Sequence, residues 1–224
     1  MNGDRLLYYD MGAGVEAFST RKTSVLPCPV VTGHQVHDCR VAVVDRADCT
    51  REDLRGYDAY VTDIPGCAVA VRTADCVPIL LYDPVKRAVA AVHSGWKGTV
   101  RNIAGEAVAV MRRRYGCTPS DMIASIGPAI GPKSFQVGPE VVEYFRERNF
   151  PMDEIWAFCG DAGENMRGGH HIDLFKANEW LLNQAGITEV FCSGIDTYTS
   201  PDFYSARREG PATGRTISAV MIKD

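Results

Sequence analysis

Short apolar segments rich in β-branched residues fill the first part of the chain, and they constrain the fold more than any other feature. Five segments have this character: residues 40–44, 59–62, 68–72, 77–82 and 88–93. Turn residues separate them, so each segment predicts a short β-strand. The apolar runs are much shorter than the roughly 18 residues that a membrane-spanning helix needs. We therefore expect a protein built largely on sheets and without contact with a membrane.

Helical patterns appear only after these segments. Residues 99–115, 139–148 and 173–185 each predict a helix, and the first has apolar residues at 3.6-residue spacing. Gly116 and Gly186 follow the first and third segments, where glycine commonly ends a helix.

Two more strand-like segments, residues 189–193 and 216–222, close the chain. Strands come mostly first and helices are interspersed later, which favours an α+β fold over a regular βαβ repeat. The 224 residues contain no repeat and no linker-like stretch. We expect residues 1–224 to form a single domain.

Composition narrows the classes of function. The formal charge is −4, and the cluster Arg112-Arg113-Arg114 ends a predicted helix rather than forming a basic stripe, so nucleic-acid binding is not expected. Eight cysteines without a C-x-x-C unit fit neither a disulfide scaffold nor a local zinc finger. The sequence begins without a secretory signal pattern, which favours the cytoplasm.

Three residues of metal-ligand type lie at or near the ends of predicted strands: His37, Cys76 and His93. They are far apart in sequence, so only tertiary folding could bring them together. Three His/Cys ligands leave a fourth position open, which is typical of catalytic zinc. From spacing alone, three side chains that are simply packed or hydrogen-bonded are the more common case.

Two further segments could bind an anion. The loop at residues 94–98 precedes the first predicted helix and contains Lys97, which fits either an anion site or a tight strand-to-helix connection. Arg207, Arg208 and Arg215 precede the last strand and suit anionic groups or surface salt bridges. The glycines at positions 12 and 14 match a loose dinucleotide-binding pattern, but no amphipathic helix follows, and we interpret them as a hairpin turn.

Six motifs in this order resemble the YfiH/YlmD/LACC1 family, whose members are also called laccase-domain, polyphenol oxidase or peptidoglycan editing factor proteins. The resemblance covers nearly the whole chain. The motifs are Phe18-Ser19-Thr20-Arg21, Gln35-Val36-His37, Thr73-Ala74-Asp75-Cys76-Val77-Pro78, His93-Ser94-Gly95-Trp96-Lys97-Gly98, residues 126–138, and residues 207–215.

The resemblance implies a CNF1/YfiH-like αββα layered fold and a purine nucleoside phosphorylase with adenosine deaminase activity. By motif, His37, Cys76 and His93 would be Zn²⁺ ligands. The substrates would be phosphate and adenosine, inosine or methylthioadenosine. The candidate catalytic residues are Asp75 as general base, with Lys97 and Arg21 as phosphate partners; Asp75 would equally fit a carboxylate that supports the Cys76 ligand or a turn. The candidate substrate-binding residues are Ser94, Gly95, Trp96, Gly98 and Arg207.

Three alternatives remain open from the sequence. Copper could replace zinc, but five histidines are too few for a multicopper oxidase, so at most a single-copper polyphenol oxidase would result. A metal-free hydrolase or deamidase could use Cys76 as nucleophile and His93 as base. A zinc module without catalysis could act in cell-wall quality control.

Two positions depart from the family pattern. Gln136 stands where a glutamate is usual, and Asp196 stands where a cysteine is usual. The change at Gln136 removes a carboxylate that could contact substrate, so it bears on substrate preference.

Overall fold

The computed structural model describes residues 6–160 and 168–224. Within these residues the strands, in chain order, are β1 (Leu7–Tyr8), β2 (Val15–Ser19), β3 (Val41–Val43), β4 (Ala59–Thr62), β5 (Val69–Thr73), β6 (Val77–Asp83), β7 (Ala88–Ser94), β8 (Ile123–Ile126), β9 (Gln136–Val137), β10 (Trp156–Cys159), β11 (Gly169–Ile172), β12 (Glu189–Cys192) and β13 (Thr216–Ile222). The helices are α1 (Trp96–Val100), α2 (Ile103–Tyr115), α3 (Pro139–Glu147), α4 (Met152–Ile155), α5 (Leu174–Gln184) and α6 (Ala206–Glu209).

The strands form two larger sheets and one small one. The larger sheets have the strand orders β12-β8-β6-β7-β4-β3 and β1-β2-β13-β5, and the small one has the order β10-β11-β9. Most neighbouring strands are antiparallel, although β12–β8 and β3–β4 are parallel. This mixed arrangement confirms the predicted α+β class, since a regular βαβ repeat would give a parallel sheet.

The six-stranded sheet lies in the middle of the molecule, and both of its faces are buried. In β6, Ile79 and Leu81 belong to a hydrophobic cluster that includes residues of α2 and α5. The alternate residues Leu80 and Tyr82 belong to a second cluster, shared with the four-stranded sheet. Successive side chains of a strand point to opposite faces. This is why β6 reads as a continuous apolar run.

The glycines at positions 12 and 14 belong to a hairpin, as predicted. Strand β1 pairs with β2 in antiparallel register, and Tyr8 lies opposite Phe18. Gly12 and Gly14 both have positive φ, at 94° and 86°, which glycine adopts without strain.

The prediction of one helix over residues 99–115 was wrong at its start. The structure has α1, then a break, then α2, and the break is at Asn102, whose φ is 61°. The Asn102 side chain accepts a hydrogen bond from the backbone N–H of Gly105 and caps α2. Both helices contribute to the same core, so the apolar period continues across the break and cannot reveal it.

The other predicted elements exist, and the structure adds several that the pattern did not show. All five early segments form strands, and one of them, residues 59–62, has the observed bounds. The last predicted strand, residues 216–222, also has the observed bounds. Strands β8 to β11 lacked a clear signal because they are short or only partly buried. No helix among the described residues is long and apolar enough to span a membrane.

Candidate metal centre and its cavity

The two central strands bring two of the three predicted ligands together. Cys76 immediately precedes β6, and His93 lies at the end of β7. Pro78 is paired with His93 across the antiparallel register, so the start of β6 lies beside the end of β7. A separate loop before β3 brings in His37, whose backbone has a φ of 62°.

These three side chains form a compact group that suits a metal ion. One ligand atom from each of His37, Cys76 and His93 lies within 4.8 Å of the others. The two imidazole rings stand nearly perpendicular, with centroids 4.8 Å apart. His93 is buried while His37 is exposed, so the group opens to solvent on one side. An open His₂Cys donor set fits a catalytic Zn²⁺ and also suits copper.

Asp58 completes the centre, and the sequence analysis did not identify it. Its carboxylate is fully buried and lies 2.8 Å from Nδ1 of His93. The same carboxylate accepts hydrogen bonds from the backbone N–H groups of residues 36, 37 and 38. Burial tends to raise the pKa of Asp58, but the bonds from His93 and from the backbone outweigh it and lower that pKa. No motif marks Asp58; a lone aspartate directly before a buried strand was the only available signal.

Electrostatics couples Cys76 and His93. Burial alone would raise the pKa of the Cys76 thiol, yet His93 and hydrogen bonds from both histidines lower it to about 6. Burial would likewise lower the pKa of His93, but the thiolate of Cys76 and the carboxylate of Asp58 raise it to about 9. The centre therefore favours the thiolate form of the cysteine, which is the form that binds metal.

The metal-ligand group lies in the wall of a cavity of about 970 Å³. One part of the wall comes from the loop of residues 33–37 and from residues 72–76, and another part comes from residues 206–207 and 211–215. Ile130 and Phe135 add apolar surface to the wall. A cavity of this size accommodates a small organic ligand together with an anion.

Four arginines line this cavity: Arg51, Arg72, Arg207 and Arg215. Within the described part of the chain, none of them forms an ion pair with a carboxylate. Burial lowers the pKa of Arg72, and the nearby charges of Arg51 and Arg215 lower it further. Clustered guanidinium groups without a carboxylate partner favour the binding of an anion.

Asp75 contributes the one carboxylate among the described residues of the cavity wall. One of its oxygens accepts a hydrogen bond from the Thr197 hydroxyl at 2.7 Å, and the other accepts one from the backbone N–H of Arg207 at 2.7 Å. The backbone carbonyl of Asp75 accepts a bond from the N–H of Ile130. Asp75 therefore joins segments that are far apart in the sequence.

Of the predicted substrate-binding residues, Arg207 and Gly95 lie at the cavity or the metal-ligand group, and Ser94, Trp96 and Gly98 have contacts elsewhere. Arg207 lines the cavity, where its guanidinium lies 5.7 Å from the centre of the Phe135 ring. Gly95 lies against the metal-ligand group, because a Cβ atom there would be 3.0 Å from the Cys76 sulfur. Ser94 is fully buried, and its hydroxyl is bonded to Thr99 and Asn178.

The remaining predicted residues lie away from the cavity wall described above. Trp96 packs against Tyr144, and Lys97 lies over the Trp96 ring. Gly98 is buried and packs near Ile103. Arg21 forms an ion pair with Asp202.

The two departures from the family pattern hold loops in place. The Gln136 amide donates to the backbone carbonyl of Gly168 at 2.5 Å, which a glutamate could not do when ionised. Asp196 accepts bonds from the N–H groups of Gly131 and Tyr198 and from the Ser134 hydroxyl. Neither residue belongs to the described cavity wall.

Comparisons with known proteins agree with this architecture. A crystal structure of the hypothetical protein YfiH from Bacillus licheniformis is similar over 99% of this chain and 98% of that chain, with a TM-score of 0.86 and 28% identity. The layered fold implied by the sequence motifs is therefore confirmed.

Curated relatives are similar at the sequence level. A purine nucleoside phosphorylase from Bacteroides thetaiotaomicron is 37% identical over 208 residues, which is 89% of this chain and 75% of that protein. The adenosine deaminase RL5 from an unknown prokaryotic organism is 39% identical over 206 residues, or 87% and 75% of the two chains. The model of the family described as "Multi-copper polyphenol oxidoreductase laccase" matches residues 10–223. The chain belongs to this laccase-domain family, which includes the YfiH, YlmD and LACC1 proteins.

Proposed function

We propose that the protein is a metal-dependent purine nucleoside phosphorylase. The observation that carries this proposal is a cavity lined both by the group of His37, Cys76 and His93 and by four arginines that have no carboxylate partner among the described residues. Relatives named purine nucleoside phosphorylase, at 37% identity in two bacteria, support the reaction class. The substrates would be a purine nucleoside such as inosine or adenosine, with methylthioadenosine as a further candidate, and inorganic phosphate.

The proposed metal is Zn²⁺, held by His37, Cys76 and His93. A bound zinc ion would supply Lewis-acid chemistry, stabilising negative charge or activating a water molecule. Copper fits the same donor types, but this group is the one candidate metal site among the described residues. A single site could not form a multicopper cluster.

Phosphate binding is best assigned to the arginines of the cavity. The nearby charge of Arg215 contributes to the lowered pKa of Arg72, and neither arginine has a carboxylate partner among the described residues. We prefer this location to Lys97 and Arg21 because those two residues lie outside the described cavity wall. In phosphorolysis, a phosphate oxygen attacks the anomeric carbon of the ribose as the bond to the purine breaks. The guanidinium groups would hold that anion in place.

A change in phosphate affinity tests this assignment. Arg72→Met should raise the KM for phosphate about tenfold or more, because one charge-assisted contact is lost. Release of ribose 1-phosphate from inosine is the measurement. Arg113→Met, which makes the same change at an exposed position on α2, is the matched control. An unchanged phosphate KM in Arg72→Met contradicts the assignment, and failure of every purine nucleoside to turn over contradicts the function.

Deamination of adenosine is a second proposed activity of the same centre. Its support is the open side of the metal-ligand group and the relative named adenosine deaminase RL5. The reaction needs water and no phosphate. Removing phosphate from the assay should therefore abolish formation of free base from adenosine while leaving formation of inosine intact.

A metal-free Cys/His hydrolase is the competing candidate, and one observation favours it. In such an enzyme, Cys76 would be the nucleophile and His93 the base, and Asp58 would orient the imidazole ring of His93. Metal analysis of the purified protein separates the two. We expect close to one zinc per chain and protection of Cys76 from alkylation until a chelator is added; full activity of metal-free protein would favour the hydrolase.

We also propose that the protein works in the cytoplasm. All eight cysteines are unpaired in the structure, including the exposed Cys192. Free thiols persist in a reducing compartment.

A further inference from the structure

Asp58 connects two of the proposed metal ligands through a single buried carboxylate. Oδ1 lies 2.8 Å from Nδ1 of His93 and accepts the backbone N–H of His37 at 2.9 Å. Oδ2 accepts the backbone N–H groups of Val36 at 3.1 Å and Asp38 at 3.0 Å. The side chain is completely shielded from solvent. A buried carboxylate with four partners is fully satisfied and therefore fixed in orientation.

The backbone of Asp58 is fixed as well. Asp58 directly precedes β4, and its carbonyl accepts the N–H of His93 at 2.8 Å. Its own N–H donates to the carbonyl of Arg40 at 3.0 Å. The carboxylate is thus attached to the central sheet, while the loop that it binds has no strand of its own.

We propose that Asp58 is the positioning residue of the metal centre, acting on two ligands at once. By accepting a hydrogen bond from the Nδ1–H group of His93, it leaves Nε2 as the ring nitrogen available to a metal. By binding three successive N–H groups, it holds the His37 loop in its left-handed conformation. The inference rests on the proposed metal binding. Mutation of a carboxylate that orients a metal-binding histidine in this way typically lowers the affinity for the metal by about 10- to 100-fold.

Asp58→Asn is the sharpest test because it keeps the shape and changes only one atom of the carboxylate. In one orientation of the amide, its NH₂ group faces the N–H groups of Val36 and Asp38, so hydrogen-bond donors face each other at two places. In the other orientation the NH₂ group faces His93 and the N–H of His37, and only the contact with His37 sets donor against donor. The second orientation therefore has the lower free energy. It makes Nδ1 of His93 a hydrogen-bond acceptor and moves the ring proton to Nε2, which then cannot bind metal.

The first measurement is the affinity for Zn²⁺, obtained by competition with a chelating dye. We expect Asp58→Asn to bind Zn²⁺ about 10- to 100-fold more weakly than the unaltered protein. Asp38→Asn is the matched control, because it removes a neighbouring carboxylate that contacts Arg101 and Cys39 but not His93. We expect less than a threefold change there. Equal affinities of Asp58→Asn and the unaltered protein would overturn the proposal.

The second measurement is the protonation of the His93 ring, read from long-range ¹H–¹⁵N spectra. Nδ1 should carry a proton in the unaltered protein, with or without Zn²⁺, and should lack one in Asp58→Asn. A variant that is merely less stable would not lose the proton from Nδ1 of His93. If the variant does not fold, the unaltered protein still decides, because an unprotonated Nδ1 there overturns the proposal. If the unaltered protein binds no Zn²⁺, the proposed metal-dependent function fails, while the ring protonation continues to decide the role of Asp58.

Discussion

Individual residues at the metal-ligand group have unusual backbone or packing requirements. His37 and Asp75 both have positive φ, at 62° and 87°, although neither is glycine. Such conformations cost of order 1 kcal/mol or more and persist only where surrounding contacts impose them. Those contacts are Asp58 for the His37 loop and Thr197, Arg207 and Ile130 around Asp75. Two of the five described non-glycine residues with positive φ therefore lie at the proposed centre.

Gly95 shows how closely the chain approaches the ligands. A Cβ atom at this position would lie 3.0 Å from the Cys76 sulfur and 3.4 Å from Cδ2 of His37. Gly95→Ala should therefore displace these two side chains and weaken Zn²⁺ binding about tenfold, because metal sites tolerate only small changes in ligand position. A chelator competition assay measures this. Gly160→Ala, where an added Cβ meets no atom of the described residues within 4 Å, should leave the affinity unchanged. Equal effects of the two substitutions would contradict this interpretation.

At the level of elements, the pairing of β6 with β7 does most to build the centre. Its register brings the start of β6 beside the end of β7. Cys76 and His93 are therefore placed close together by the pairing of two consecutive strands. The segment after β7 then turns through α1 into α2 and packs both helices on the same core. After the break, α2 contacts β3, β4 and β7, while Gly95 at the start of α1 lies against Cys76.

Asn102, at the break between α1 and α2, should stabilise the folded protein. Asn102→Ala should lower the free energy of unfolding by about 2 kcal/mol, of which about 1 kcal/mol comes from the lost cap and the rest from alanine in the left-handed conformation. Asn102→Gly should lower the free energy of unfolding by only a few tenths of a kcal/mol, since glycine is tolerated at the capping position and adopts the left-handed conformation without strain. Urea unfolding of metal-free protein gives both values. Equal stability of the two variants would show that the left-handed backbone at Asn102 is not what distinguishes them.

At the level of the whole molecule, the cavity joins parts of the chain that are distant in sequence. Asp75 binds Thr197 and the start of α6, while Arg208 donates to the carbonyls of Thr197, Tyr198, Ser200 and Phe203. These bonds hold the segment that carries Arg207 against Asp75, which is the neighbour of Cys76 in the chain. The position of Arg207 relative to the proposed metal centre therefore depends on contacts between distant parts of the chain.

Asp75 can be tested as a support of this wall or as a general base. Asp75→Asn can keep both hydrogen bonds, because its carbonyl oxygen can accept from Arg207 while its NH₂ group donates to the Thr197 hydroxyl. We expect kcat within about threefold of the unaltered protein. Asp75→Ala loses both bonds and should raise the KM for inosine about tenfold or more. A loss of kcat in Asp75→Asn of a hundredfold or greater would instead identify Asp75 as the base.

The sequence by itself determined the α+β class, most strand positions and the hairpin at residues 12–14, because these depend on local side-chain period and on turn residues. It also provided His37, Cys76 and His93 as candidate ligands through residue type and family motif. Only the tertiary structure showed that Asp58 contacts His93 and that Arg72 lines the cavity, and it placed Lys97 and Arg21 outside the described cavity wall. The reason is physical: the surroundings of a buried carboxylate or of a guanidinium group in a cavity consist of neighbours that the fold brings together, and the chain order does not record those neighbours.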